Sequence, residues 1–159
     1  MRTGLGQDSH RFLNEPSEKN FIIGGVVIDD APGLDADSDG DVVLHAICNA
    51  ITSLTGVPIL GGIAPKMCKQ GITNSAEYLK EAVKTLGNSQ ISHIALSVEA
   101  KRPRLEKHIP AIRANVAKLL GLELRQVGMT CTSGDGLTDF GRGDGLQCLC
   151  ILSLIDIKE

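Results

Sequence analysis

The chain has 159 residues, enough for one domain with its own hydrophobic core over 1–159, and its formal net charge of −3 gives no general pull toward nucleic acid. Aromatic residues make up 3%, too few for a base-stacking platform. No apolar run approaches the roughly 20 residues that span a bilayer, so neither a nucleic-acid nor a membrane partner is expected. The first residues, MRTGLGQDSHRF, carry no signal-peptide core. A cytoplasmic location is therefore expected; the sequence is also compatible with a plastid form whose transit segment has been removed. Five cysteines with no CxxC, at 48, 68, 131, 148 and 150, read as reduced and mostly buried thiols.

A first strand is expected over 1–12, with Asp8 and His10 on one side of it, about 7 Å apart at the backbone. After the polar loop 13–19, residues 20–28 read as a second strand that pairs with the first. Gly24 and Gly25 mark a bulge or a close backbone approach within it. Ser38 and Asp41 fit a capping box that opens a helix over 39–55. Val42, Val43, Ala46, Ile47, Ala50, Ile51 and Leu54 form its apolar stripe, and His45 and Asn49 fall on the other face. Residues 56–73, punctuated by Gly and Pro, form a long connection without regular pattern.

Asn74 caps the next helix, 75–86, with Glu77 completing a box and Gly87 stopping it. Residues 91–100 alternate as a strand, with His93 among the outward set. The basic turn KRPR leads to a helix over 108–120, where Pro110 fits the first turn. A strand over 126–133 and another over 145–157 finish the chain. The last is apolar on nearly both faces, which points to an oligomer core. The order β-β-α-α-β-α-β-β gives an α+β fold, with a mixed β-sheet, helices over one face and the other face available to subunits.

Four segments carry chemistry. Asp8 and His10 with a distant His45 make a set of two imidazoles and one carboxylate suited to Zn²⁺ with an open fourth position. The same spacing also describes ordinary surface polar residues. Residues 37–45, DSDGDVVLH, place three acids at a helix start. Free N–H groups there can hold phosphate, and acids there also serve as simple caps. The glycine-rich stretch 130–145 carries Thr132, Ser133, Asp135 and Arg142, which suit phosphate oxygens and a divalent cation, or only a turn. Lys101, Arg102 and Arg104 suit a phosphate-bearing ligand, or a solvated turn.

Taken together, GLGQDSHRF, IIGGVVI, SDGDVVLHA, HIPAIRANVAKLLG and TSGDGL…GRGDG stand in the order and spacing of the 2-C-methyl-D-erythritol 2,4-cyclodiphosphate synthases. The chain resembles that family over nearly its whole length. The resemblance implies a phosphorus–oxygen lyase of non-mevalonate isoprenoid biosynthesis. Its substrate would be 4-diphosphocytidyl-2-C-methyl-D-erythritol 2-phosphate, whose 2-phosphate attacks the β-phosphorus and expels CMP. It implies a homotrimer, with sheet faces packed around its axis and active sites between neighbouring subunits. Zn²⁺ would be held by Asp8, His10 and His45. A second ion, Mg²⁺ or Mn²⁺, would bridge the diphosphate, with Asp135 standing where the family usually has Glu.

The same resemblance matches Asp8, His10, Asp37, Ser38, Gly62, Ile63 and Ala64 to substrate-binding positions, Ser38 at the methylerythritol phosphate end and Gly62 at the erythritol part. Ala100, Lys101, Arg102, Pro103, Arg104, Leu105, Cys131, Thr132 and Ser133 match the segments that hold cytidine and its phosphates, and Arg142 lies in the matching GRG. Ser133 and Asp37 match the catalytic positions. Asp37 stands where a His is usual, and Gly62 and Asn49 each stand where an Asp is usual. If that last Asp orients the metal-binding His, Asn49 would do so without the charge. Phe140 is shifted by one place. The alternative to an enzyme is a non-catalytic trimeric relative that binds nucleotide or an isoprenoid phosphate.

Overall fold

The computed structural model describes residues 1–29 and 31–157. Four strands form one mixed sheet: β1 (Arg2–Arg11), β4 (Ser89–Glu99), β5 (Val127–Thr132) and β6 (Gly145–Asp156), in the order β1-β6-β4-β5. β6 lies antiparallel between β1 and β4, and β4 and β5 run parallel. The parallel pair requires a crossover, and α4 (Ile109–Leu120) supplies it. Helices α1 (Val42–Thr55), α3 (Ser75–Lys84) and α4 join the sheet in one apolar core, as the alternation along the strands predicts. Leu146, Cys148, Cys150, Leu152 and Leu154 of β6 are all buried in it.

The opposite sheet face is open and carries an apolar patch. Leu149 and Ile151 of β6 are 42% and 49% exposed, and Leu5 of β1, which pairs with Ile151, is 62% exposed. β6 is therefore buried on one face only within the single chain; its apolar composition on both faces is the signal read from the sequence.

The expected second strand is instead a separate two-stranded hairpin, β2 (Phe21–Ile23) and β3 (Val26–Ile28), and it does not pair with β1. Gly24 and Gly25 have φ of 59° and 74°. Two consecutive positive φ values make the tight reversal whose twist suits a hairpin. Phe21, Ile23 and Ile28 turn into the core, and Asn115 of α4 donates to the Gly24 carbonyl at 2.8 Å.

The cap of α1 also differs from the expected box. Asp41, fully buried, is the cap: its carboxylate accepts from the amides of Val43 and Leu44 at 3.1 and 3.0 Å. It also accepts from Gly24 and Gly25 at 2.8 and 2.6 Å, clamping the hairpin to the helix start. Ser38 lies too early and accepts from Gly40 instead. At α3, Asn74 accepts from the Ala76 amide as expected, but Glu77 pairs with Lys80 rather than closing a box.

The connection after α1 is largely helical: a π-helical turn over Ile59–Ile63 runs into α2 (Ala64–Lys69). Gly61 and Gly62 weaken the helical signal in sequence, whereas Pro65 in the first turn of α2 is a permitted start. A last short helix, α5 (Asp139–Arg142), precedes β6. No single helix is long and apolar enough to cross a membrane among the described residues.

Candidate metal centre and ligand cavity

Gly4, Gly6, Asp8 and His10 occupy alternate positions of β1 and share the face that looks toward α1. The two glycines let the helix approach. A Cβ at Gly4 would lie 2.4 Å from the Ala50 carbonyl oxygen, and one at Gly6 would lie 2.0 Å from that of Ala46. With the helix this close, its first turn sets His45 beside Asp8 and His10. His45 Nδ1 is 3.0 Å and His10 Nε2 is 3.1 Å from Asp8 Oδ2. One ligand atom from each of the three lies within 4.8 Å of the others, the one such group of His, Cys, Asp or Glu among the described residues.

The donor chemistry suits a cation. His10 Nδ1 lies 3.0 Å from the Asp35 carbonyl, which can only accept, so the ring carries its hydrogen there. That leaves Nε2 with a bare lone pair, buried and 3.1 Å from the Asp8 carboxylate with no donor between them. A buried acceptor facing a carboxylate is costly unless a positive charge lies between them. The Asp35 carbonyl is itself held in place. Asp35 N donates to the Arg11 carbonyl at 2.8 Å, and Lys19 Nζ donates to the carbonyls of Leu34 and Ala36 on either side, both at 2.8 Å. Lys19 thus takes the carbonyls of Leu34 and Ala36, and His10 the one between.

Burial pushes the Asp8 carboxyl up, but the adjoining His10 and His45 outweigh it and hold it below its ordinary value. The Asp8 carboxylate in turn raises His10, against the effect of burial. Asp41, at the head of α1, is pushed up to about 6 by its burial, although four amides favour its charged form.

Asp8, His10 and His45 open into a cavity of about 730 Å³, which Asp37, Ser38 and Ala64 also line. Leu60, Pro65 and Tyr78 give it an apolar side, and Ala36, Cys68 and Lys69 complete it. The YgbB family model matches residues 1–155. The chain belongs to the YgbB family. It is similar to the 2-C-methyl-D-erythritol 2,4-cyclodiphosphate synthase of Chlamydia abortus, with 50% identity over 157 residues, covering 98% of this chain and 89% of that protein. It also superposes on a CDP complex of IspF from Plasmodium falciparum with 26% identity and a TM-score of 0.84, covering 99% of this chain and 97% of that one. The bifunctional IspDF of Campylobacter jejuni matches with 29% identity and a TM-score of 0.86 over 98% of this chain. The YgbB chain spans only 42% of that larger protein.

Within this YgbB chain the expected site residues fall into two groups. Asp8, His10, Asp37, Ser38, His45 and Ala64 share the cavity, whereas Gly62 and Ile63 sit in the turn just before Ala64, outside its lining. The second group gathers where the parallel strands β4 and β5 end together, a common place for ligand loops. Ala100 N donates to the Thr132 carbonyl at 3.0 Å and Lys101 N to that of Phe140 at 3.1 Å. These contacts bring the 100–105 turn, with Pro103 and Leu105 buried, against the loop after Cys131 and Thr132. Ser133 donates to Asp135 at 3.2 Å, and Asp135 is the one described non-glycine residue with positive φ, 49°.

In that second group Arg102 lies 4.9 Å over the Phe12 ring and pairs with Glu15 at 3.1 Å; Arg142 pairs with Asp139. Arg104 is exposed. None of this group lines the cavity that holds Asp8.

Asn49 donates to the Gln7 carbonyl at 2.9 Å, so it ties α1 to β1 and is not hydrogen-bonded to His45. His45 is instead surrounded by Ser75, 2.8 Å from its Nε2, and by the Tyr78 ring, stacked at 6.3 Å. The sequence assigns Ser75 to the first turn of a helix and Tyr78 to an apolar stripe, and no motif in it links either to His45.

Proposed function

We propose that this chain converts 4-diphosphocytidyl-2-C-methyl-D-erythritol 2-phosphate to 2-C-methyl-D-erythritol 2,4-cyclodiphosphate and CMP. The observation that carries the reading is the convergence of Asp8, His10 and His45 on one cavity, in a chain half identical to a named cyclodiphosphate synthase. The reaction needs no protein nucleophile, because attacking oxygen and electrophilic phosphorus belong to one molecule. An oxygen of the 2-phosphate forms the new P–O bond to the β-phosphorus, the bond to CMP breaks, and CMP leaves with that electron pair. The protein has to fold the substrate so that the two groups meet.

Asp8, His10 and His45 would hold Zn²⁺, and Asp135 would serve Mg²⁺ or Mn²⁺. Such ions neutralise phosphate charge and act as Lewis acids. Ser38 and the apolar wall of Leu60 and Pro65 would take the methylerythritol end, with Asp37 beside the 2-phosphate. Ser133 and Thr132 offer hydroxyl donors to the transferring group, and the 100–105 turn would hold the cytidine. Arg142 adds positive charge near the phosphates.

The two groups of residues lie apart within one chain, and the open face of Leu5, Leu149 and Ile151 is apolar. Both features favour a homotrimer in which the 100–105 and 131–135 segments of one copy complete the cavity of its neighbour. The setting read from the sequence, a cytoplasmic enzyme, fits the same proposal. Incubation with the cytidylated substrate and Mg²⁺, followed by phosphorus NMR, should show CMP and a cyclic diphosphate. Binding without CMP release would instead identify a non-catalytic relative.

A further inference from the structure

We infer that Asp39 and Ser75 form a positioning relay that fixes the tautomer and orientation of His45, so that its Nδ1 faces the cation. The inference rests on the reading of Asp8, His10 and His45 as a metal site. Ser75 is fully buried at the first position of α3, and its hydroxyl has a single hydrogen. That hydrogen goes to Asp39 Oδ1, because a carboxylate can only accept. The Ser75 oxygen, 2.8 Å from His45 Nε2, is then left to accept. Toward this nearer partner the imidazole carries its hydrogen on Nε2, from which Ser38 Oγ is farther, at 3.4 Å, and Nδ1, 3.0 Å from Asp8, presents a bare lone pair.

Asp39 is itself immobilised. It accepts from the Ser75 amide at 2.9 Å and from the Asp41 amide at 3.1 Å, and its own amide donates to the Thr73 carbonyl at 3.0 Å. The head of α3 also favours its negative charge. The relay joins the 37–41 loop, α3 and the first turn of α1, and so adds a side-chain link at the cation to the core packing and the Asp39–Thr73 backbone bond that already hold these elements together. It parallels what the Asp35 carbonyl does for His10, so each imidazole has its non-ligating nitrogen fixed by a partner beyond the site. Asp39 and Ser75 touch neither cation nor substrate; they act through His45.

The test uses the full-length protein loaded with Zn²⁺, with ¹⁵N-labelled histidine. In the wild type His45 should show a protonated, slowly exchanging Nε2 and a metal-shifted Nδ1. Chelator competition should give a zinc affinity about 10–100-fold weaker in Ser75→Ala, the usual loss for such outer partners. The slow Nε2–H signal should vanish with it, while the metal-free protein stays folded, its melting temperature lowered by roughly 2–12 °C for the buried hydrogen bonds lost. Ser75→Thr, which keeps the hydroxyl, should restore the signal. Asp39→Asn, which offers one acceptor oxygen to two Ser75 donors, should fall between.

A wild type that takes up no zinc would overturn the metal reading itself, and the relay with it. A wild type that binds zinc through His45 Nε2, or a Ser75→Ala protein with unchanged affinity and an unchanged Nε2–H signal, would overturn the relay alone.

Discussion

Gly6 is where the closeness of α1 to β1 can be tested directly. A Cβ there would lie 2.0 Å from the Ala46 carbonyl oxygen, 2.3 Å from the Ala50 amide nitrogen and 3.0 Å from the Ala50 Cα. All three are helix backbone atoms, which cannot swing aside as a side chain would. Ordinary contact begins at 3.4 Å, so Gly6→Ala drives α1 away from the strand by about 1.4 Å if the strand holds its ladder with β6. His45 precedes Ala46 and travels with the helix, while Asp8 stays on the strand, so the 3.0 Å separation between them opens.

Overpacking of this kind costs about 1–3 kcal/mol, which for a chain of this size lowers the melting temperature by roughly 2–12 °C. A displacement near 1 Å at reacting groups costs about 100-fold in rate. The assay is thermal unfolding beside zinc affinity and CMP release. Gly61→Ala is the control, because a Cβ at Gly61 meets nothing within 4 Å and its φ is not positive. It should melt at or slightly above the wild type. If Gly6→Ala melts with the wild type and keeps its zinc affinity, the close strand–helix approach does not build the site.

Other outcomes follow from the same geometry. His45→Ala should abolish zinc uptake and CMP release together, and full turnover by the metal-free variant would refute its role. Asp37 lines the cavity with its carboxylate among groups that would face phosphate; Asp37→His should raise turnover, and steady-state rates that stay flat or fall would count against this. Zinc affinity should fall with acid. The nearby Asp8 carboxylate raises His10 above the ordinary 6.5, so a proton competes for His10 Nε2 from above that pH downward. Asp8, held below 3.8, stays ionised through that window, so the affinity is full well above the His10 pKa and is lost as pH drops through it. Chelator competition that is flat between about pH 8 and 5 would contradict it. Among the thiols, burial pushes Cys48 and Cys150 up to about 12 and Cys148 well above its ordinary value. An aromatic disulfide reagent should label Cys68 in the native protein and reach those three only after unfolding.

Much of the molecule follows from local rules that act within a few residues. Alternation in 94–98 and in 146–154 gives the central strands, a register shift between Ile91 and His93 breaking it earlier in β4, and the period of Val42 through Ile51 gives α1. Strand alternation alone sets Asp8 and His10 on one side of β1. The convergence with His45 is different in kind: it spans 37 residues of chain and depends on how near two backbones can come. Two glycines on β1 permit that approach, and nothing in their sequence context distinguishes them from turn glycines.

The hairpin at 21–28 was hidden for a related reason. A two-glycine interruption in an apolar run describes a bulge or a reversal equally well, and the choice fell to the four amides that converge on Asp41. The helix start likewise moved from Ser38 to Asp41, because a carboxylate fully buried beneath the hairpin can satisfy donors from two elements at once. Periodicity and side-chain chemistry thus fixed the elements and the kinds of ligand. Which atoms meet, through Asp35, Asp39 and Ser75, was decided by packing between segments that the chain itself keeps far apart.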